Sequence, residues 1–378
     1  MEPGYRSARI EEIDIIKALG ILCVAAGHAA APFARFLYLF HMAVFFIASG
    51  FCFKSRSASS LRNLLLTIVK KLRQIWLPFF IWNSIFALLN NFFIRINVYT
   101  DQAALEEYVQ GKYIHPHKFM TAAAIWKVIK RGFFFREGTQ IGGAFWFLRT
   151  LFMVQILYYV VEFLLQKTVK AHTDLAQAAV SAILLGVGYY CSLQRLYVNG
   201  FGKTASFYCL FYLGHVLAGH KSRLARLSWK HFLPAGGISF LCLVFLWTKG
   251  AISFAQLRYV NPGFMLISSL CGWVMLYSAA YFLRQVVSVK QLLLEIGKRT
   301  ISVVLFHFLA FKLVAAVVVL YYGLPAFCIA AFPTLYGEKG LWWLAYTVAG
   351  TGVPIAADIF YHRLLDRWKA LLPKPHDA

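Results

Sequence analysis

Apolar runs long enough to cross a bilayer recur from one end of this 378-residue chain to the other. A run of roughly 17–25 such residues spans the hydrocarbon as a helix, because a helix satisfies its own backbone where no water can. The pattern leaves no stretch for a separate soluble domain. It predicts one all-α, polytopic membrane domain over residues 1–378, with no fused soluble part. Ten helices are expected, near 11–31, 38–53, 75–94, 145–164, 175–191, 204–220, 232–248, 260–283, 300–322 and 340–362. Composition agrees: 60% of the residues are hydrophobic and 14% charged, where a soluble domain carries about a quarter.

A net charge of +23 raises the question of nucleic acid. The cations lie in short loops between apolar runs, which is the membrane pattern, so no nucleic-acid partner is expected. With the N-terminus in the cytoplasm, 22 Lys and Arg fall inside and 13 outside, seven of the latter in the long loop 95–144. Both termini are therefore expected to be cytoplasmic. The seven cysteines are dispersed and form no Cys-x-x-Cys pair, so neither a disulfide framework nor a thiolate metal site is indicated. Arg6 and Arg9 ahead of the first run mimic a signal peptide; Lys17 interrupts that run, and an uncleaved first helix is the better reading.

Several polar residues sit where the bilayer should exclude them. The first run reads Glu12-Ile-Asp14-Ile-Ile-Lys17 and ends at Gly27-His28; the second opens with Phe40-His41. Each costs a few kcal/mol at membrane depth, so a chain that keeps them uses them. Lys17 and His28 are eleven residues apart, close to three helical turns, so they share one face about 16 Å apart along the axis. Asp14, three residues before Lys17, can touch it. If the second helix doubles back through 32–37, His41 approaches His28. Singly, each has a bland reading. Lys17 can snorkel to headgroups, His28 can bond a neighbouring helix beside Gly27, and His41 can be interfacial. Together they point to a site.

Elsewhere the signals are weaker. Glu162, His215 and Lys312, within or near spans, read as structural or interfacial. In the 95–144 loop, the segment from Trp126 to Phe135 suits an amphipathic helix in the interface. His115 and His117 are a weak metal-binding pair without a nearby carboxylate or cysteine, and no metal is predicted. The two halves show no inverted repeat, which would have favoured a transporter.

Five blocks, in order along the chain, carry a family resemblance. They are Arg9-Ile-Glu-Glu-Ile-Asp14 through Lys17 to Gly27-His28; Phe40-His41 to Ser49-Gly50; Lys70-Lys71-Leu-Arg73 to Pro78; Phe145-Trp146-Phe-Leu-Arg149; and Gly297-Lys-Arg-Thr300-Ile-Ser302 to His307. The chain resembles the membrane acyltransferase-3 family, especially its sugar O-acetylase branch typified by fucose 4-O-acetylase-like proteins. The family commonly has arginine where Lys17 stands, and an arginine pair where Lys70 and Arg73 stand. Lysine keeps the charge but loses the bidentate fork.

The resemblance implies acetyl-CoA as the acyl donor on the cytoplasmic side of a bacterial cytoplasmic or inner membrane. It also implies a carbohydrate hydroxyl as acceptor on the outer side, on an envelope or extracellular polysaccharide or its lipid-linked precursor. Envelope-polysaccharide assembly proteins become candidate partners. On this reading Lys17, Lys70, Lys71 and Arg73 hold the CoA phosphates, and the pantetheine arm lies along the Lys17–His28 stripe. His28 is the general base; His41 orients it or stabilises the oxyanion, and Asp14 holds Lys17. Trp146 and Arg149 contact substrate or anchor the interface, and His307 lines the cavity. A covalent acyl-histidine relay, succinyl transfer, a transporter or flippase of a lipid-linked sugar, and a scaffold role stay open.

Overall fold

Helix α1 (Glu11–His28) is the post around which the two short helices that follow it and the last four helices of the chain pack. The computed structural model describes residues 10–109, 117–136, 138–169, 172–196 and 200–371. Glu11, Glu12 and Asp14 occupy the first turn of α1, where the positive end of the helix dipole favours carboxylates. They are also tied to neighbouring elements. Glu11 pairs with Lys290 at 2.6 Å and Glu12 with Arg284, while Asp14 meets Lys17 at 2.6 Å. These pairs mark one end of the molecule, the Glu11 face.

At the opposite face the chain turns through α2 (Ala34–Leu37) and comes back as α3 (Ala43–Phe51). The expected second span, 38–53, is thus shorter than its apolar run suggests. Nine residues rise about 14 Å, too little to cross alone. The residues ahead of α3 are taken up by the turn that carries His41. α3 gains its place by backbone contact with a later helix, α11 (Phe201–Gly219). A side chain at Gly50 would collide with the Phe211 carbonyl, and one at Gly214 with the Ile47 carbonyl, so glycine at both positions permits the crossing.

The chain then rises again as α4 (Leu61–Lys71), a π-helical turn over Leu72–Trp76, α5 (Leu77–Leu88) and α6 (Asn90–Arg95). The 95–144 segment holds α7 (Leu105–Tyr108) and α8 (Ala122–Phe133). The latter is the expected amphipathic helix. It leaves Trp126 exposed and is fastened to the π-helical turn by the Trp76 indole, which donates to the Phe133 carbonyl at 3.1 Å. His115 lies outside the described residues, and His117 stacks on Tyr99.

Next come α9 (Phe145–Thr168), α10 (Thr173–Leu193), α11, the short α12 (Lys221–Leu224), α13 (Trp229–Lys249) and α14 (Pro262–Leu283). The chain closes with α15 (Val287–Lys298), α16 (Thr300–Tyr322) and α17 (Trp342–Leu371). Each of the ten expected segments contains a helix. Among the described residues six helices are long and apolar enough to cross a membrane by themselves: Ile141–Thr168, Thr173–Leu193, Trp229–Lys249, Pro262–Leu283, Thr300–Tyr322 and Trp342–Lys369. No β-strand forms among the described residues; the one pairing is an isolated bridge between Ser253 and Arg258. The protein is a multi-pass membrane protein.

Helix α15 stands where sequence predicts only a loop, 284–299. Its interior carries charge at Lys290 and Glu295, which hides the apolar stripe. It lies against α1 so closely that a side chain at Gly297 would meet the Asp14 carbonyl. The Glu11 face is knit further by Arg299, which pairs with Glu295 and with Asp358 (3.0 Å), and by the Ser302 hydroxyl, which donates to Asp358 at 2.7 Å.

Candidate active site

Helical periodicity places Lys17, Ile21, Val24 and His28 on one stripe of α1. From Ile21 to His28 that stripe walls a cavity of about 190 Å³. Met42 and Phe45 close it from the α3 side, Trp146 and Phe147 from the first turn of α9, and Val304 from α16. His28 and His41 both line it. The return through α2 therefore does bring the two imidazoles together, as the spacing predicts.

Each histidine is held differently. His41 is buried, its Nδ1 lies 2.9 Å from the Leu37 carbonyl, and its ring packs on Tyr38 at 5.0 Å between centroids. A carbonyl only accepts, so Nδ1 carries the hydrogen and neutral His41 offers Nε2 as an acceptor. Tyr38 in turn donates its hydroxyl to the Gly27 carbonyl at 2.7 Å, bracing the end of α1. His307 is fixed in the same way, with Nδ1 at 2.8 Å from the Val303 carbonyl, and its Nε2 is buried without a partner. It does not line the cavity itself. It backs His28 instead, ring on ring at 5.4 Å and 25°, while Phe308 meets His28 edge-on at 5.0 Å. Among the described residues neither nitrogen of His28 has a hydrogen-bond partner, so this half-buried ring is the one free to choose its tautomer.

Lys17 stands one turn below Ile21, outside the cavity, paired with buried Asp14. Asp14 is fourteen residues from His28, about 21 Å along the helix, so its role is to position Lys17 rather than touch reacting atoms. Near the end of α3, Lys221 lines a small cavity with Glu12, Phe51 and Arg284. Lys70 faces a different groove, of about 280 Å³, shared with Lys54 and Arg56. Arg73 is exposed in the π-helical turn. Such turns frequently mark functional segments. The expected cation set is thus spread over separate places and does not gather in one cavity. Lys221, at the start of the short α12 in a cation-bearing connection, is an addition that sequence reasoning missed.

Trp146 and Arg149 also part company. Trp146 walls the histidine cavity and, on another side, a second cavity of about 300 Å³ in which Arg149 lies. A further addition is the segment after α13, where Ile252, Ser253 and Phe254 drop into the histidine cavity and give it one hydroxyl. Among the described residues no group of three His, Cys, Asp or Glu converges as metal ligands would.

A free imidazole, backed by carbonyl-tied His307 and sharing a small apolar-walled cavity with carbonyl-tied His41, can accept and return a proton. Comparison with known families gives one match: a model described as acyltransferase domain, of the acyltransferase-3 family, aligns with residues 10–361. Neither the curated proteins nor the solved structures yield a match.

Proposed function

We propose, from the premise that this chain belongs to the acyltransferase-3 family, that it O-acetylates a carbohydrate. The donor is acetyl-CoA bound from the Glu11 face, taken as cytoplasmic. The acceptor is a hydroxyl of a cell-envelope or extracellular polysaccharide, or its lipid-linked precursor, reaching the cavity from the opposite face. The observation that carries this reading is the placement of His28 and His41 in one cavity, at the far end of a stripe that begins at Lys17.

The steps follow from the groups present. CoA phosphates meet cations drawn from Lys17, Lys70, Lys71, Arg73 and Lys221 through charge-assisted hydrogen bonds. The pantetheine arm runs up the stripe and delivers the thioester beside His28. His28 takes the proton of the acceptor hydroxyl as its oxygen bonds the carbonyl carbon. The tetrahedral intermediate then expels the thiolate, and His28 returns the proton to sulfur. General-base help of this kind contributes about 10²–10⁴ in rate. Because neutral His41 presents an acceptor, it suits holding a hydroxyl of the acceptor sugar, and Ser253 is placed to donate to the oxyanion. The cavity walls favour acetyl over succinyl. Among its described lining residues there is no cation, and a second carboxylate buried there would stand unpaired, at a cost of several kcal/mol.

The test is purified protein in proteoliposomes with acetyl-CoA labelled in the acetyl group and an acceptor glycan outside. Label appearing on carbohydrate in step with free CoA thiol is the expected result. Sugar crossing the bilayer while label stays on CoA would replace this reading with transport.

A further inference from the structure

Five cations gather on the face opposite Glu11, around two adjoining cavities of about 300 and 520 Å³. Arg131 and Arg136 come from the end of α8 and the turn after it, Arg149 from the first turn of α9, and Lys203 from the first turn of α11; Lys130 completes the rim. Arg131, Arg136 and Arg149 line both cavities. No carboxylate lines either among the described residues.

The arrangement is built rather than incidental. Gly200 sits in the left-handed region at φ 77°, and a side chain there would press on the Arg149 guanidinium at 3.3 Å. Glycine therefore both turns the chain into α11 and leaves the guanidinium its room. Lys203 lies over the Trp146 ring at 4.9 Å, a cation–π contact that fixes both. Arg136, Arg149 and Lys203 each interact with other groups of the protein as well, so they are held in place before any ligand arrives. Cations from three separate elements thus face the two cavities. Planar guanidinium forks match carboxylate and phosphate oxygens two at a time.

Trp146 is the wall that this bay shares with the histidine cavity. An anion held in the bay is thus on the other side of the Trp146 ring from the histidine cavity. We infer that the bay recognises the acceptor, and that the acceptor is an acidic glycan bearing a carboxylate or phosphate beside the acetylated residue. This rests on the acceptor side assigned above. A lipid headgroup is the less suited occupant, because the bay leads through Trp146 to the reacting histidines.

The experiment measures binding with no acyl donor present, so it stands apart from the transfer reaction. Detergent-solubilised full-length protein is titrated with tetragalacturonate and with neutral maltotetraose, followed by tryptophan fluorescence. Tetragalacturonate is expected to bind at least tenfold tighter, and to weaken as salt rises. Arg131→Gln with Arg136→Gln should erase about tenfold of that preference. Equal affinity for the two sugars in the unaltered protein overturns the proposal without needing any variant to fold. So does a double variant that keeps the full preference. A variant that loses binding to phosphatidylglycerol vesicles but keeps its preference for the acidic sugar identifies a lipid site and also overturns it. Binding that holds while labelled transfer fails would leave this inference standing and remove the acetyltransferase reading.

Discussion

Two clusters of polar side chains break the apolar interior, and they differ in how far their hydrogen bonds are met. In the α9–α10–α11 cluster both oxygens of buried Glu162 accept, from Gln166 at 2.8 Å and Gln177 at 2.9 Å. Gln177 in turn accepts from the Tyr208 hydroxyl at 2.6 Å, and Tyr158 meets His215 at 2.7 Å. Around α1 the opposite holds: His307 Nε2 is buried without a partner, and His28 has none among the described residues. A buried polar group left unpaired costs about 1–3 kcal/mol. A cluster that pairs its groups fastens helices; one that leaves them open keeps them for a ligand. This contrast separates Glu162 and His215 from the histidine site better than membrane depth does.

The sharpest way to break the contrast is His28→Ala. Turnover should fall about 10²–10⁴-fold, the share that general-base catalysis supplies. The melting temperature in detergent should fall only modestly, since no hydrogen bond is lost and only the ring contacts with His307 and Phe308 go. Near-normal turnover would mean that the open cluster is not the reacting one.

The mirror experiment is Glu162→Leu. It strands the amide of buried Gln177, at about 1–3 kcal/mol, and leaves Gln166 only its bond to the Ser55 carbonyl, so it should lower thermal stability. Turnover per folded molecule should be kept. A stable variant with lost turnover would move the chemistry to the wrong cluster.

Between these extremes lies His307→Phe. Phenylalanine preserves a ring against His28 and removes the stranded Nε2, so stability should hold or rise slightly. Replacing a buried unpaired polar group by an apolar one of similar shape is close to neutral. Turnover should drop about tenfold if the polar ring behind His28 tunes its proton affinity. Unchanged turnover would make the stack mere packing.

How much of this was legible in the sequence follows the range of the forces involved. The α1 stripe was legible because Lys17, Ile21, Val24 and His28 obey a local 3.6-residue period. His41 was legible because a connection as short as 32–37 forces the chain back. The shortening of α3 was not, since the apolar run continues through 38–42 although the backbone turns there. Helix α15 was hidden by Lys290 and Glu295, whose partners lie on or next to it. Ser253 and Lys221 reach their places only through long-range packing, and no period announces them. Gly297 and Gly50 were visible as motif residues, but the backbones they admit, Asp14 and Phe211, belong to helices far away in sequence.

The smallest expected effect falls at the other end of the stripe, and it tests whether the stripe is one functional unit. Lys17 is partly exposed, but its partner Asp14 is buried, so Lys17→Ala leaves a buried carboxylate unpaired and should lower stability. The kinetics are therefore compared per folded molecule. If the ammonium meets a donor phosphate, KM for acetyl-CoA should rise about five- to tenfold with kcat nearly unchanged, the signature of a contact made equally in ground and transition states. Lys17→Arg should restore the affinity or tighten it, because the guanidinium adds a second parallel hydrogen bond. A kcat loss with unchanged KM would instead link Lys17 to the chemistry about 16 Å away, which helix geometry argues against. Equal kinetics for lysine, arginine and alanine would confine function to the histidine end of the stripe and leave Lys17 to its bond with Asp14.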